Sequence, residues 1–300
     1  MRYSSPLRYP GGKASLAPFL TDVIDLNDLR GGVYFEPYAG GAGAALALLK
    51  SEVVARVEIN DADQRVYAFW LSMLNQTQRF VDRIMTIPLT LDEWNIQWNI
   101  CTNPNSYTEF EIGFAAFYMN RCNRSGVLTG AGPIGGYEQS GRWRLDVRFT
   151  RDALAERVIA LGKIRSKILV SGLDAIDFLK TKLPRGTARN KCLVYLDPPY
   201  VIKGQRLYMN AYEPSDHKKV SRYLNGQKML PWIMSYDDAP LIRNLYASRQ
   251  LAHLPIRYSL QEKRFAKELI ISPMYIRLPR SFHIGVQESA MCELSKGAAA

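Results

Sequence analysis

The sequence contains few residues that could bind a metal or form disulfides. Its 300 residues include four cysteines and three histidines. The cysteines, Cys101, Cys122, Cys192 and Cys292, form no pair at the spacing of a metal site, and the histidines are scattered. This pattern predicts no metal centre and reduced thiols, which are the usual state in the cytoplasm.

Long apolar stretches are also missing. The most apolar one, at residues 40–49, is much shorter than the roughly 20 residues that span a bilayer. Near the N-terminus, Gly11-Gly12-Lys13 occupies the place where a secretory leader would have its apolar core. We therefore expect a cytoplasmic protein that does not enter a membrane.

Two apolar segments end in sequences that suggest a binding site. Residues 34–43 are an apolar run that ends in a glycine-rich turn, and residues 193–200 are another that ends in Asp-Pro-Pro-Tyr. Each pattern predicts a β-strand that reaches the carboxyl edge of a sheet and stops in a loop. Open α/β folds bind their ligands at that edge. The pair predicts one crevice that holds a cofactor beside a small planar nucleophile.

The Asp-Pro-Pro-Tyr segment has the groups needed to activate an aromatic amine. Such an amine is a poor nucleophile because its lone pair is delocalised into the ring. The Asp197 carboxylate and the Pro198 carbonyl can accept its two N–H groups and expose the lone pair, while Pro198 and Pro199 fix the backbone. The ring of Tyr200 offers a face on which a base can stack. The alternative is an ordinary X-Pro turn at the end of a strand.

The glycine-rich turn differs from a phosphate-binding loop. Gly40, Gly41 and Gly43 let the backbone approach a ligand closely and adopt positive φ. The full G-x-G-x-x-G spacing is missing, and no Gly-Lys-Ser or Gly-Lys-Thr follows.

The net charge of +11 favours a polyanionic partner. The excess is uneven, because residues 113–170 hold ten Lys or Arg against four Asp or Glu. Simple solubility is the alternative explanation for a basic chain.

These segments together resemble the Dam-type, alpha-group N6-adenine DNA methyltransferases. The order of glycine-rich loop, recognition region and Asp-Pro-Pro-Tyr is that of the family. Further segments also resemble it: residues 5–13, 58–61, 120–126, 132–136 and 232–237. The resemblance implies methyl transfer from S-adenosylmethionine to N6 of an adenine flipped out of double-stranded DNA. S-adenosylmethionine carries no phosphate, which agrees with the glycine-rich turn.

The resemblance also implies which residues bind the cofactor. Glu58 would accept hydrogen bonds from the ribose hydroxyls, and Asp174 would contact the adenine amine, unless Glu58 is a capping charge and Asp174 a helix N-cap. Glu36 would approach the amino group, unless it is only a charge at the edge of a strand. The cofactor set is Tyr9, Lys13, Glu36, Gly40, Gly41, Gly43, Glu58, Asp174 and Asp197, and the catalytic set is Asp197, Pro198, Pro199 and Tyr200.

The basic recognition region is expected to contact DNA. Arginines and asparagines alternate there with aromatic residues, which suits phosphate contacts and base readout; a solvated basic face is the alternative. The predicted contacts are Asn120, Arg121, Asn123, Arg124, Arg142 and Arg144, with Arg148 nearby. Restriction-modification, orphan and phage-borne enzymes share these motifs, so a cognate restriction endonuclease is an open partner.

The expected fold is a Rossmann-like α/β methyltransferase core with an inserted, mostly helical DNA-recognition subdomain. We assign residues 1–64 and 166–280 to the core, 65–165 to the insertion and 281–300 to a C-terminal tail that could be frayed. Strands are predicted at 33–36, 53–59, 168–171, 191–196 and 232–235, and a closing antiparallel hairpin at 253–260 and 269–278.

Three other functions remain open. N4-cytosine methyltransferases share the fold but more often have Ser-Pro-Pro-Tyr, and glutamine-modifying relatives favour Asn where this chain has Asp197. A methylase-like repressor would bind DNA without turnover, although an intact Asp197 and glycine loop argue against it.

Overall fold

The structure, a computed structural model, describes residues 5–8, 13–201, 212–257 and 265–279. The strands are β1 (Val33–Glu36), β2 (Arg56–Asn60), β3 (Ile168–Ser171), β4 (Cys192–Leu196), β5 (Trp232–Tyr236), β6 (Gln250–Arg257) and β7 (Phe265–Ser272). The helices are α1 (Ala17–Leu26), α2 (Gly43–Lys50), α3 (Gln64–Asn75), α4 (Thr77–Thr86), α5 (Leu91–Thr102), α6 (Glu109–Cys122), α7 (Arg151–Gly162), α8 (Ala175–Lys182), α9 (Pro214–Asn225) and α10 (Pro240–Leu245).

The chain divides into two compact units. The first comprises Met1–Asp197 with Lys228–Pro231, and the second comprises Pro198–Gln227 with Trp232–Ala300. The boundary therefore falls inside the Asp-Pro-Pro-Tyr segment, immediately after Asp197.

The first unit is built on a parallel sheet with the strand order β3-β2-β1-β4. The strands are short and largely apolar, and β4 is buried along its whole length, as expected for parallel strands that are covered on both faces. This order is that of the Rossmann fold, in which the chain reverses direction across the sheet between β1 and β4. The predicted Rossmann-like α/β class is confirmed.

Between β2 and β3 the first unit contains helices α3 to α7. Phenylalanines of three of them share a core: the Phe80 ring lies 5.1 Å from Phe114, and Phe69 stacks on Phe117 at 6.0 Å. Helices α3 and α6 pack closely at Gly113. A Cβ at this position would lie only 2.4 Å from the Ala68 carbonyl oxygen. The division into a core and an insertion at residue 65 stays a prediction.

In the second unit, β7 pairs antiparallel with both β5 and β6. The predicted closing hairpin is present as β6 and β7. Strand β7 ends at Ser272, earlier than predicted, because the next residue is Pro273, which has no amide hydrogen for the sheet. A turn begins there, in which the Ile276 amide donates to the Pro273 carbonyl. The tail at 281–300 lies outside the described residues.

Strand β2 begins at Arg56 rather than at Val53. The Val53 amide caps α2 by bonding the Leu48 carbonyl, and the Val53 carbonyl accepts from the Gly31 amide. These bonds hold residues 53–55 in the turn that enters the strand.

No helix within the described residues is long and apolar enough to cross a membrane. Among the same residues, no group of three or more His, Cys, Asp or Glu side chains is arranged to hold a metal ion.

Candidate active site

The glycine-rich turn after β1 is held at both polar atoms of Gly40. The Gly40 amide donates a 2.8 Å hydrogen bond to the Asp61 carboxylate, and the Gly40 carbonyl accepts a 2.9 Å bond from the Trp70 indole. Gly40 has a φ of +46°, in agreement with the positive φ expected for glycines of this turn. The second positive φ in the turn, +48°, falls on Ala42 rather than on Gly41 or Gly43. A left-handed conformation at a residue with a Cβ is strained, so the bonds around the turn must hold it in place.

Gly43 contributes to the close packing at the start of α2. It is the first residue of α2, and a Cβ there would lie 3.1 Å from the Ala14 amide nitrogen and 3.2 Å from the Ala14 side chain. The glycine therefore allows the segment that begins at Lys13 to pack directly on the start of α2.

Asn60, at the end of β2, joins the loops that follow its two neighbouring strands. Its amide group donates to the Pro37 carbonyl at 3.0 Å and to the Leu173 carbonyl at 2.9 Å, and its oxygen accepts from the Leu173 amide at 2.9 Å. The side chain is fully buried. It fixes the carboxyl ends of β1, β2 and β3 relative to one another.

Glu36 ends β1 and is only 2% exposed. Its carboxylate accepts a 3.3 Å hydrogen bond from the Ala45 amide in the first turn of α2. Burial raises the pKa of Glu36 well above its usual range, and the nearby Asp197 carboxylate raises it further. The Tyr34 hydroxyl is buried on the same face of β1, next to the Glu36 carboxylate. A ligand that brings positive charge or donors would suit this position.

Asp197 follows β4 and forms an ion pair with Lys13, whose Nζ lies 3.3 Å from Oδ1. The side chains are 18% and 8% exposed, respectively. Strand β1 pairs with β4 through Phe35 and Val194, so Glu36 and Asp197 end neighbouring strands on either side of the reversal in strand order. That position is where Rossmann-like sheets form their ligand crevice.

The other predicted cofactor residues differ in their surroundings. Glu58 lies in the middle of β2, largely buried, and pairs with the Arg56 guanidinium at 3.0 Å; burial raises its pKa, and the charge of Arg56 opposes that shift. Asp174 is exposed and caps α8 by accepting from the Ile176 amide at 2.8 Å, which is the alternative role considered for it. Tyr9 lies outside the described residues.

The groups at this edge fit a cationic cofactor without phosphates. Glu36, Asp61 and Asp197 bring three carboxyl groups to the ends of β1, β2 and β4, and Lys13 is the cation paired with one of them. Carboxylates of this kind can accept from an ammonium or a ribose diol but would repel a phosphate.

In the second unit, the rest of the Asp-Pro-Pro-Tyr segment lies against the end of β5. The ring of Tyr200 is 6.1 Å from that of Tyr236, tilted by 41°. The next amide, that of Val201, donates a 3.1 Å hydrogen bond to the Asp237 carboxylate.

Comparison with known proteins identifies the family. The model of the D12 class N6 adenine-specific DNA methyltransferases matches residues 9–260. The chain belongs to this family. No curated protein matches it.

Among solved structures, this D12 class methyltransferase matches three proteins at low identity and low TM-score. A conserved hypothetical protein of Streptococcus pyogenes has 10% identity and a TM-score of 0.35, with 83% of this chain and 89% of that one covered. A Pyrococcus horikoshii protein provisionally described as an RNA methyltransferase has 14% identity and a TM-score of 0.34, with coverages of 89% and 84%. The rRNA methyltransferase AviRa of Streptomyces viridochromogenes has 12% identity and a TM-score of 0.31, with coverages of 88% and 86%.

Three of the DNA contacts predicted for the D12 class methyltransferase are buried. Asn120 accepts from the Arg8 amide at 2.6 Å and donates to the Arg8 carbonyl at 2.8 Å and the Gly126 carbonyl at 2.9 Å. Arg121 donates to the Pro6 carbonyl. Asn123 accepts from the Trp94 indole at 2.7 Å. Their DNA contacts stay a prediction, and these bonds favour a supporting role for all three.

The other predicted contacts are exposed. Arg124, Arg142 and Arg144 all point to solvent, and the Arg142 guanidinium lies 4.9 Å from the exposed Trp143 ring. Gln139 fixes the loop that carries Arg142 and Arg144, because its side chain donates to the Ile134 carbonyl and accepts from the Leu145 amide.

Five residues of the site have no role predicted from the sequence: Asn60, Asp61, Trp70, His217 and Asp237. A usable signal existed for the first two, because they are polar residues immediately after the apolar run of β2. For Trp70 the sequence carries no such signal, because an indole in an amphipathic helix usually packs in the core.

Proposed function

We propose that this D12 class methyltransferase is a Dam-type, alpha-group enzyme. It transfers a methyl group from S-adenosylmethionine to N6 of an adenine that is flipped out of double-stranded DNA. The observation that carries the proposal is the position of Asp197. It ends β4 beside the β1 turn that Asp61 and Trp70 hold, at the reversal of the strand order.

When bound, S-adenosylmethionine supplies an electrophilic methyl group on its sulfonium. Glu36 would hold its amino group, because a buried carboxyl of raised pKa gains a partner when an ammonium arrives. Glu58 would accept from the ribose hydroxyls, exchanging its bond to Arg56, which is itself half exposed. Gly40, Gly41 and Gly43 would form the backbone wall of this pocket, with Tyr9 and Lys13 beside it. Asp174 would use its second oxygen, because Oδ1 caps α8.

The target adenine would be held by the Asp-Pro-Pro-Tyr segment. Asp197 and the Pro198 carbonyl accept the two N6 hydrogens, Pro199 keeps the backbone rigid, and Tyr200 stacks on the base. Lys13 would orient the Asp197 carboxylate before the base arrives, through the ion pair between them. The surplus N6 proton leaves through Asp197 or water. Holding the amine in line with the methyl donor accounts for much of the rate gain.

The exposed residues between α6 and α7 would bind the DNA. Arg124, Arg142 and Arg144 are suited to phosphates and base edges. Asn120, Arg121 and Asn123 would act mainly by holding the segments around residues 5–8 and 126–128 in place.

The test is methyl transfer from labelled S-adenosylmethionine to unmethylated genomic DNA, followed by nucleoside mass spectrometry. We expect N6-methyladenine from the wild-type protein and a loss of at least about a thousandfold in Asp197→Ala, with cofactor affinity changed far less. Asp177→Ala, an exposed carboxylate in α8, is the control. N4-methylcytosine would overturn the target base, and DNA binding with no modified base would favour a binding protein.

A further inference from the structure

Tyr236 and Asp237, consecutive residues at the end of β5, contact consecutive residues of the catalytic segment. Tyr236 lies ring to ring with Tyr200 at 6.1 Å, and the Asp237 carboxylate accepts from the Val201 amide at 3.1 Å. Strand β5 is buried throughout, and Asp237 is almost fully buried as well. Pro198 and Pro199 have no N–H, so Tyr200 and Val201 carry the first amides of this loop that a side chain can bind.

The Tyr236 ring is itself fixed at its far end. Its hydroxyl is 2.7 Å from Nδ1 of His217, a side chain that is 2% exposed. His217 lies in the first turn of α9, where Pro214 and a reciprocal capping box between Glu213 and Asp216 stabilise the helix start. Neither end of the Tyr236 side chain is therefore free to move.

The burial of His217 is not explained by packing alone. Its Nε2 atom is buried and has no hydrogen-bond partner among the described residues. Burial lowers the pKa of His217, against the opposing influence of Asp237 and Asp216, so the imidazole is neutral near pH 7. An apolar side chain would fill the space without leaving a polar nitrogen unpaired, but it could not hydrogen-bond the Tyr236 hydroxyl.

We propose that His217, Tyr236 and Asp237 form a positioning clamp that sets the orientation of the Tyr200 ring and of the Val201 amide. The inference rests on the proposed function, in which Tyr200 stacks on the flipped adenine. The three residues do not contact the reacting atoms. They act through Tyr200 by holding its ring at the angle at which the base is received.

The decisive experiment is a double-mutant cycle on single-turnover methyl transfer. Tyr236→Phe removes only the hydroxyl that His217 fixes, and we expect a fall of about tenfold in rate with cofactor affinity unchanged. In a Tyr200→Ala background the same substitution should have no further effect, because its target is gone. Tyr246→Phe is the matched control, since Tyr246 is another buried tyrosine of this unit with an unpartnered hydroxyl, and it should transfer at the wild-type rate.

A second pair of variants tests the Asp237 arm without relying on catalysis. Asp237→Asn keeps the oxygen that accepts from Val201, whereas Asp237→Ala removes it. Hydrogen exchange of the Val201 amide, followed by NMR, should be about tenfold faster in Asp237→Ala than in Asp237→Asn.

The outcomes separate the two proposals. Wild-type rates in Tyr236→Phe, or a defect that adds fully to that of Tyr200→Ala, would overturn the clamp and leave methylation intact. If the wild-type protein methylates no adenine, the proposed function fails. The Val201 exchange then decides the clamp alone, and equal exchange in the two Asp237 variants would overturn it.

Discussion

Asp61 and Gly40 are joined by a hydrogen bond of 2.8 Å from the glycine amide to the aspartate Oδ2. The other oxygen of the same carboxylate accepts from the Asp63 amide at 2.9 Å. One side chain beyond β2 therefore determines both the conformation of the turn after β1 and the start of the segment that leads into α3.

Replacing Asp61 by Asn should weaken cofactor binding. The amide has one acceptor oxygen where the carboxylate has two, so either the Gly40 or the Asp63 bond is lost. A hydrogen bond to a charged group contributes about 1.5–3 kcal/mol, so we expect an affinity loss of at least about tenfold by calorimetry with S-adenosylmethionine. Asp22→Asn, on α1, should bind like the wild type, and an unchanged affinity in Asp61→Asn would show that Trp70 alone holds the turn.

The Asp61 carboxyl should also make stability depend on pH. Burial raises its pKa to about 6 in the folded protein, while the unfolded chain has the ordinary value near 4. The folded state therefore binds more protons than the unfolded state between these values, and stability rises as the pH falls through this range. Relative to Asp61→Asn, the free energy of unfolding of the wild type should increase from pH 7 to pH 4 in urea titrations. If the difference in free energy of unfolding between the two proteins is the same at pH 7 and pH 4, the raised pKa of Asp61 is wrong.

Asn120→Ala should destabilise the protein. The side chain is buried and makes three hydrogen bonds, so its loss strands backbone groups of Arg8 and Gly126. Each unsatisfied buried group costs about 1–3 kcal/mol, and we expect a lower midpoint in chemical denaturation. Asn99→Ala, on the exposed side of α5, serves as the control and should unfold at the wild-type midpoint.

Arg124→Ala should show the opposite behaviour. Its side chain is exposed, so the melting temperature should not change. If Arg124 contacts a phosphate, the variant should bind all DNA sequences more weakly. The slope of the logarithm of the binding constant against the logarithm of the salt concentration should then decrease in magnitude by about one. If it reads a base, affinity falls mainly for the target sequence. If Arg124→Ala binds DNA with the affinity and salt dependence of the wild type, Arg124 does not contact DNA.

Gly113→Ala tests the contact between α3 and α6. The added methyl group would lie 2.4 Å from the Ala68 carbonyl oxygen, so the helices must separate. Overpacking of this kind costs about 1–3 kcal/mol, which should be visible as a lower melting temperature. Gly226→Ala, where the new atom meets its nearest neighbour at 3.4 Å, should have little effect.

The strands and the ends of β1 and β4 could be predicted from the sequence, because buried parallel strands are continuous apolar runs. The family resemblance implied a cofactor role for Lys13 and for Asp197, but it did not predict the ion pair between them, which joins residues 184 positions apart. The burial of Asn120, Arg121 and Asn123 could not be predicted. They lie at the end of α6, and a pattern of Asn and Arg is the same whether the side chains face DNA or the chain's own carbonyls.

The contacts that form the clamp around Tyr200 could not be predicted from the sequence either. Tyr236 and Asp237 were part of a segment that resembled the family, but His217 is 19 residues away, on the buried face of α9 that it shares with Val220 and Leu224. Only the packing of α9 in the second unit brings its imidazole to the tyrosine hydroxyl.

Phe69 and Trp70 are neighbours on α3, yet Phe69 stacks in the aromatic core with Phe117 while Trp70 bonds to Gly40. Residues 65–165 are the segment predicted to form the recognition subdomain, so an exchange of this segment between relatives would test for a change of target. A graft that transplants residues 65–165 as a block would carry away the indole on which the recipient's own glycine turn depends. Chimeras built this way should fail at the cofactor pocket first, unless the donor helix brings a tryptophan to the same position.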